Sequence, residues 1–319
     1  MNENVFKIIL FFIILYLLHD YINLIENNNN NTSLKNSNNQ IYYYENKLNE
    51  NDYFENFENK THQSNDSFDK QYVTFYDFIN DLKKYHKVEL DLLDEKNIFF
   101  HKDKNSIKIL DAGSGLGVMS DYLQKKGYDL TCVDKSESFI KKAELNNVFN
   151  RYILGNLENT KLFDNNEFNI ILSDYDSFYF NSYASMINIL KNYYLWLKDD
   201  GFVIFYLMNN KYLDPSPRDY SQFYFDDKGN KHSLTYFDGF SHNSWFKKDN
   251  VVKNKYLYYE KIMMEKSKKT RIKITPYNIP DRVDLLKMIT NNGFKIIQFI
   301  NIPNTSEYEI IIFVKNKKV

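Results

Sequence analysis

The residues best placed to do chemistry in this 319-residue chain lie in one short run, Leu110-Asp111-Ala112-Gly113-Ser114-Gly115-Leu116-Gly117. The whole chain has only 9 glycines. Their clustering here marks a place where the backbone takes dihedrals other residues avoid, or where a ligand must come close to it. The spacing excludes two phosphate-binding loops. A P-loop needs G-x4-G-K-[ST], which is absent. The dinucleotide fingerprint G-x-G-x-x-G needs glycine at position 118, which is Val118. What stands here is D-x-G-x-G-x-G. Other reactive chemistry is sparse. The single cysteine, Cys132, excludes an internal disulfide and a cysteine zinc cluster. The histidines do not pair at metal-ligand spacing, so no metal site is expected.

The glycine run needs a strand before it and a helix after it, so that backbone N–H groups and a helix N-terminus meet the ligand. Both are legible. Residues 106–112, SIKILDA, read as a buried strand, and the helix after the loop runs to Lys126, with Gly127 as its C′ residue. YDLTCVD (128–134) is a second strand, after which Ser136 caps a helix whose Phe139, Ile140 and Ala143 share a face. RYILGN (151–156), FNIILSD (168–174) and FVIFYLM (202–208) continue as strands, with a helix over 183–197. This alternation predicts an α/β fold with a parallel sheet and helices on both faces. Before it, Val73, Tyr76, Ile79 and Leu82 form a helical stripe that Val88 to Leu93 extends. After Met208 the rhythm breaks. Residues 209–250 read as loop, Lys255–Glu265 and Thr270–Thr275 as strands, Pro280–Asn292 as a helix, and FKIIQFI and YEIIIFVK as closing strands.

The glycine motif in this context resembles the first motif of the class I S-adenosylmethionine-dependent methyltransferases, over roughly residues 72–319. The resemblance implies a seven-stranded, mostly parallel sheet with a reversed last strand, plus a small antiparallel β insertion after strand five. It makes S-adenosyl-L-methionine the cofactor and assigns Asp111, Ala112, Gly113, Ser114, Gly115 and Gly117 to its cradle. Asp134, closing strand two beside Lys135, takes the place of the carboxylate that accepts both ribose hydroxyls. Asn156, next to Leu157, stands where the family usually has an Asp facing the adenine amine, and its carbonyl still accepts that N–H. Ser173 and Asp174 follow strand four, where the family lines the methionine end. The segment Asp176-Ser177-Phe178-Tyr179 is similar to the D-S-x-N-Y stretch of small-molecule methyltransferases, with Tyr in place of Asn.

Transfer of a methyl from a sulfonium is an in-line displacement that needs positioning and exclusion of water, with no metal. A hydroxyl or protonated-amine acceptor also needs a general base. His242 is the first candidate, with Tyr179 and His232 as alternatives. Tyr72, Phe75 and Tyr76 read either as a lid over the cofactor or as a core stripe. The expected reaction is methylation of a small-molecule or lipid-like acceptor. Two alternatives stand beside it: RNA methylation through the basic segment 247–273, and a non-catalytic protein on the same fold.

With 41 basic and 42 acidic residues the net charge is -1, which argues against a wholly basic nucleic-acid coat. Residues 26–70 are Asn-rich and read as a disordered linker, with the methyltransferase domain over 71–319 and its substrate-side insertion about 209–275. Residues 1–25 hold an apolar run whose uninterrupted part, Ile8–Leu18, is about 16 Å long as a helix against a bilayer core of about 30 Å. It is read as a membrane anchor or signal, or as an ordinary hydrophobic N-terminus. An anchor would leave the domain membrane-associated and facing the cytosol, where the cofactor is made. Without one, the protein would be cytoplasmic.

Overall fold

The structure, a computed structural model, describes residues 60–63, 68–80, 82–98, 104–146, 151–173, 177–210, 213, 221–303 and 308–316. The chain divides into two compact units, Met1–Tyr43 and Tyr44–Val319, and every described residue lies in the second. The anchor or signal expected over residues 1–25 falls outside the described residues. Among the described residues no helix is long and apolar enough to cross a membrane.

The chain enters through β1 (Lys60–Gln63), α1 (Lys70–Asn80) and α2 (Leu82–Glu95). It then alternates through β2 (Lys108–Ala112), α3 (Val118–Lys125), β3 (Asp129–Asp134), α4 (Glu137–Asn146) and β4 (Arg151–Leu154). Next come β5 (Phe168–Ser173), α5 (Tyr183–Trp196) and β6 (Leu197–Met208). Five further strands follow: β7 (Gln222–Phe225), β8 (Lys231–Phe237), β9 (Phe240–Lys248), β10 (Lys255–Met264) and β11 (Thr270–Asn278). The chain closes with α6 (Arg282–Asn291), β12 (Phe294–Asn301) and β13 (Tyr308–Lys315).

The first sheet has seven strands in the order β12-β13-β6-β5-β2-β3-β4. β2, β3, β4, β5 and β6 pair in parallel, while β13 runs against both β6 and β12. The parallel sheet expected from the alternation is thus present, as is the reversed last strand that the resemblance implied. Successive side chains point to opposite faces of a strand, and each face is apolar. On one face Leu110, Ile171 and Phe205 pack under α5 and α6, through Leu190, Trp196 and Met288. On the other, Ile109, Leu130 and Ile204 pack under α2 and α3, through Leu93 and Leu123. Burial of such side chains is worth about 1.5–3 kcal/mol each. The switch point lies at the carboxyl end of β2, which is flanked by β3 and β5. In open α/β sheets ligands bind in that crevice.

The second sheet differs from expectation in two ways. It has six strands, β1-β11-β10-β9-β8-β7. Residues 209–250, read as loop, contain β7, β8 and β9. Their alternation is hidden because the inward positions away from the turn are polar: Ser233, Thr235, His242 and Ser244. The overlooked signal was Asp238-Gly239 between Phe237 and Phe240, a two-residue hairpin turn with Gly239 at φ 83°. In addition, β1, inside the stretch expected as linker, pairs in parallel with β11.

Candidate functional site

The glycine loop closes β2 onto α3 with Gly113, Gly115 and Gly117 at φ 85°, 51° and 68°. The three are not equivalent. A Cβ on Gly113 would sit 2.3 Å from the Cβ of Ser177, whose hydroxyl donates to the Ala112 carbonyl (3.3 Å). Gly113 therefore lets the segment after β5 close on the loop. A Cβ on Gly115 would meet nothing within 4 Å, so this glycine faces open space where a ligand can approach the backbone.

Asp134 ends β3 beside that space. Its Oδ2 accepts the Gly115 N–H (3.0 Å) and its Oδ1 accepts the Ser136 N–H (2.8 Å). Burial pushes its carboxyl up, against the opposing pull of these N–H donors. A carboxylate oxygen has lone pairs for more than one donor. Asp134 thus ties the glycine loop to the neighbouring strand and keeps acceptor capacity for a ligand diol. The open space at Gly115, the backward-turning glycines and this carboxylate together fit a nucleoside ligand. The site accordingly suits the nucleoside of S-adenosylmethionine.

The other expected cofactor residues separate by location. Asp111 is 1 % exposed and lies on the α2–α3 face, where its Oδ2 accepts the Ser120 hydroxyl (2.7 Å). Its Oδ1 is buried without a hydrogen-bond partner, as is the Ser114 hydroxyl. Burial lifts the Asp111 carboxyl to about 6. It supports the loop from beneath. Ser173 is buried and shares a hydrogen bond with the Tyr193 hydroxyl of α5 (3.3 Å). Lys135 and Asn156 are exposed, and the Asn156 Oδ1 accepts the Glu158 N–H (3.0 Å). Leu157 is half-buried, its carbonyl accepting from Asn192 Nδ2. Asp174 lies outside the described residues.

Over the cleft, Phe68 and α1 join the two sheets. The Phe68 carbonyl accepts the Ser136 hydroxyl (3.3 Å), and its ring meets Phe139 at 5.2 Å and Phe180 at 5.8 Å. Val73 packs with Leu116 of the glycine loop and Phe139. Tyr72 and Phe75 pack with Phe240 and Ile262 of the second sheet. The core reading of the aromatic stripe holds, since Tyr72 and Phe75 are buried against the second sheet.

On the second sheet's inner face stands a group that sequence reasoning did not assemble. Glu260 is 4 % exposed and accepts the Tyr72 hydroxyl on both oxygens (2.9 and 2.8 Å) and the Lys273 ammonium (3.1 Å). The Lys273 Nζ also lies 3.9 Å from the ring centres of Phe68 and Tyr72, a cation–π arrangement. His242 is 1 % exposed, with Nε2 3.5 Å from Glu260 Oε1. Burial acts to raise the Glu260 carboxyl, but Lys273, His242 and Tyr72 outweigh it and hold it down at about 2. Tyr179, the other candidate base, is fully buried. Its hydroxyl accepts the Met208 N–H (2.8 Å) and its carbonyl the Asn278 N–H (2.8 Å). His232 lies on the outer face, stacked between Tyr224 and Trp245.

The methyltransferase-domain family matches residues 85–252. No curated protein matches in sequence. Among solved structures, an S-adenosylmethionine-dependent methyltransferase from Clostridium acetobutylicum is similar at 16 % identity and TM-score 0.59, over 77 % of this chain and 99 % of that one. The CcbJ methyltransferase from Streptomyces caelestis is similar at 14 % identity and TM-score 0.57, over 70 % and 89 %. S-adenosylmethionine-bound CalS10, an amino pentose methyltransferase from Micromonospora echinaspora, gives 11 % identity and TM-score 0.57, over 80 % and 100 %. With the fold, the loop geometry and the match over half the chain in agreement, this chain belongs to the methyltransferase-domain family and is an S-adenosylmethionine-dependent enzyme.

Proposed function

We propose that the protein methylates a nitrogen or oxygen of a small-molecule acceptor held between the carboxyl edge of the first sheet and the inner face of the second. The observation that carries this reading is the buried group Tyr72, His242, Glu260 and Lys273, enclosed under α1 beside Phe68 and Phe180. Polar groups so far from solvent address a ligand small enough to be enclosed. Two structural neighbours bearing small-molecule methyltransferase names, the amino pentose enzyme and a sugar N-methyltransferase from Streptoalloteichus, support it.

S-adenosylmethionine, when bound, supplies an electrophilic methyl on a sulfonium. Asp134 accepts hydrogen bonds from the ribose hydroxyls, and the loop at Gly115 lets the nucleoside approach the backbone. Lys135, Asn156 and Leu157 would border the adenine side. Phe68 and Phe180 exclude water. The His242 imidazole takes the acceptor's proton, and the Glu260 carboxylate 3.5 Å from it stabilises the imidazolium. Tyr179, bonded to Met208 and Asn278, positions the segment after β5.

RNA as acceptor draws less support. Arg271 and Lys273 of the basic segment face inward and are paired with Asp69 and Glu260. Lys253 and Lys255 lie near Asp281 and Asp249. The test is transfer of radiolabelled methyl to fractionated small molecules and to RNA, beside S-adenosylhomocysteine binding by calorimetry. Label entering RNA and no small-molecule fraction would overturn the proposal.

A further inference from the structure

The inner face of the second sheet is apolar at its two ends and polar between them. At one end Phe237, Phe240 and Met264 pack with α1. At the other, Tyr256, Tyr258 and Tyr277 pack with the core of the first sheet. Between these contacts the register places Ser233, Ser244, Glu260 and Lys273 side by side across four strands. The next inward row is Thr235, His242, Ile262 and Arg271. All are at most 4 % exposed. A sheet face this deeply buried ordinarily carries apolar side chains, because polar groups lose water there. Its formal charges cancel in pairs, Glu260 with Lys273 and Arg271 with Asp69. Two polar atoms of this face are buried with no hydrogen-bond partner, Arg271 Nε and the Oγ1 of Thr275, which follows Lys273 on the same side of β11, while His242 Nε2 has Glu260 Oε1 at 3.5 Å. Unmade hydrogen bonds at fixed positions are what a binding surface holds for its ligand.

We infer that this band is the acceptor-recognition surface and selects a neutral or singly cationic small molecule bearing several hydroxyl or amino groups. Glu260 is its anchoring carboxylate, and Thr275 is a specificity-determining residue. The inference rests on the small-molecule reading above and refines it. A polyanion would face Glu260 with both buried cations, Lys273 and Arg271, already held in ion pairs. A purely apolar acceptor would leave Arg271 Nε and Thr275 Oγ1 unpaired.

The test uses the full chain saturated with S-adenosylhomocysteine and ligand-observed NMR with five probes: methyl glucoside, glucosamine, glucuronate, glucose 6-phosphate and hexanol. Saturable contacts are expected from methyl glucoside and glucosamine. They should weaken at least tenfold in Thr275→Val and in Glu260→Gln. Thr275→Val should keep its S-adenosylhomocysteine affinity and melt no lower than the parent, since it loses an unpaired hydroxyl. That melting result keeps the inference exposed even if Glu260→Gln folds poorly. Preference for the anionic or apolar probes, no contact from any probe, unchanged contacts in Thr275→Val, or a lowered melting temperature in that variant would each overturn it. Failure to bind S-adenosylhomocysteine would strike the cofactor site instead.

Discussion

Asp111 offers a measurement that needs no substrate. Its carboxyl is 1 % exposed, has one hydrogen bond from Ser120, and leaves Oδ1 unpaired. Burial lifts it from 3.8 to about 6, although the Ser120 bond and nearby His86 act the other way. At about 1.4 kcal/mol per pH unit the gap is worth about 3 kcal/mol. The folded chain keeps a proton that the unfolded chain releases, so this contribution is complete below about pH 4 and is lost as pH rises through about 6. About 2 kcal/mol of that loss falls between pH 4.5 and 7.5. Asp111→Asn retains an acceptor for Ser120 and cannot ionise. Its stability relative to the parent should therefore rise by about 2 kcal/mol across this range, whatever constant offset the new amide brings. Urea unfolding of both proteins, followed by circular dichroism at half-unit pH steps, measures the difference. Glu89 is also pushed up by burial, but it is present in both proteins, so its slope largely cancels. A difference constant within about 0.5 kcal/mol across the range would refute the reasoning.

Other substitutions separate fold from site. Gly113→Ala should destabilise the protein, because its Cβ would collide with Ser177, and thermal melting will show the drop. Gly115→Ala has room and costs about 1–2 kcal/mol of left-handed strain, yet calorimetry should show its S-adenosylhomocysteine affinity falling at least tenfold as the methyl enters the ligand's space. Asp134→Ala removes the acceptor of the Gly115 and Ser136 N–H bonds, so cofactor affinity should fall more than tenfold and stability by about 1–3 kcal/mol; unchanged affinity would show that the carboxylate does not hold the ribose. His242→Gln should lower kcat at least a hundredfold while leaving S-adenosylhomocysteine binding intact; an unchanged kcat would move the base elsewhere.

How far the sequence could be read depended on whether burial was apolar. The strands of the first sheet announce themselves because helices cover both faces, so Ile109, Leu110, Ile170 and Ile171 are all apolar. The glycine loop was legible for a related reason, since no other residue tolerates its dihedrals so readily. Asp111 was assigned to the ligand by motif alone. Strand alternation puts it on the face opposite Leu110 and Ala112, with Ile109, and that would have turned it toward α3.

The second sheet failed for the opposite reason. The middle inward residues of β8 and β9 are Ser, Thr and His, with Phe237 and Phe240 only beside the turn, while Tyr224, His232, Trp245 and Tyr259 stack along the outer face. The usual hydropathy signal is therefore inverted over the segment read as loop. Glu260 was out of reach in another way, because its Tyr72 partner lies 188 residues earlier and no local pattern joins them. These two failures have one cause. Fold-building residues repeat locally and follow hydropathy, whereas a recognition surface gathers polar groups from distant strands and sets them against it. The place where sequence reasoning broke down is thus the place where polar groups are buried together, and it is there that the proposed acceptor surface can be tested most directly.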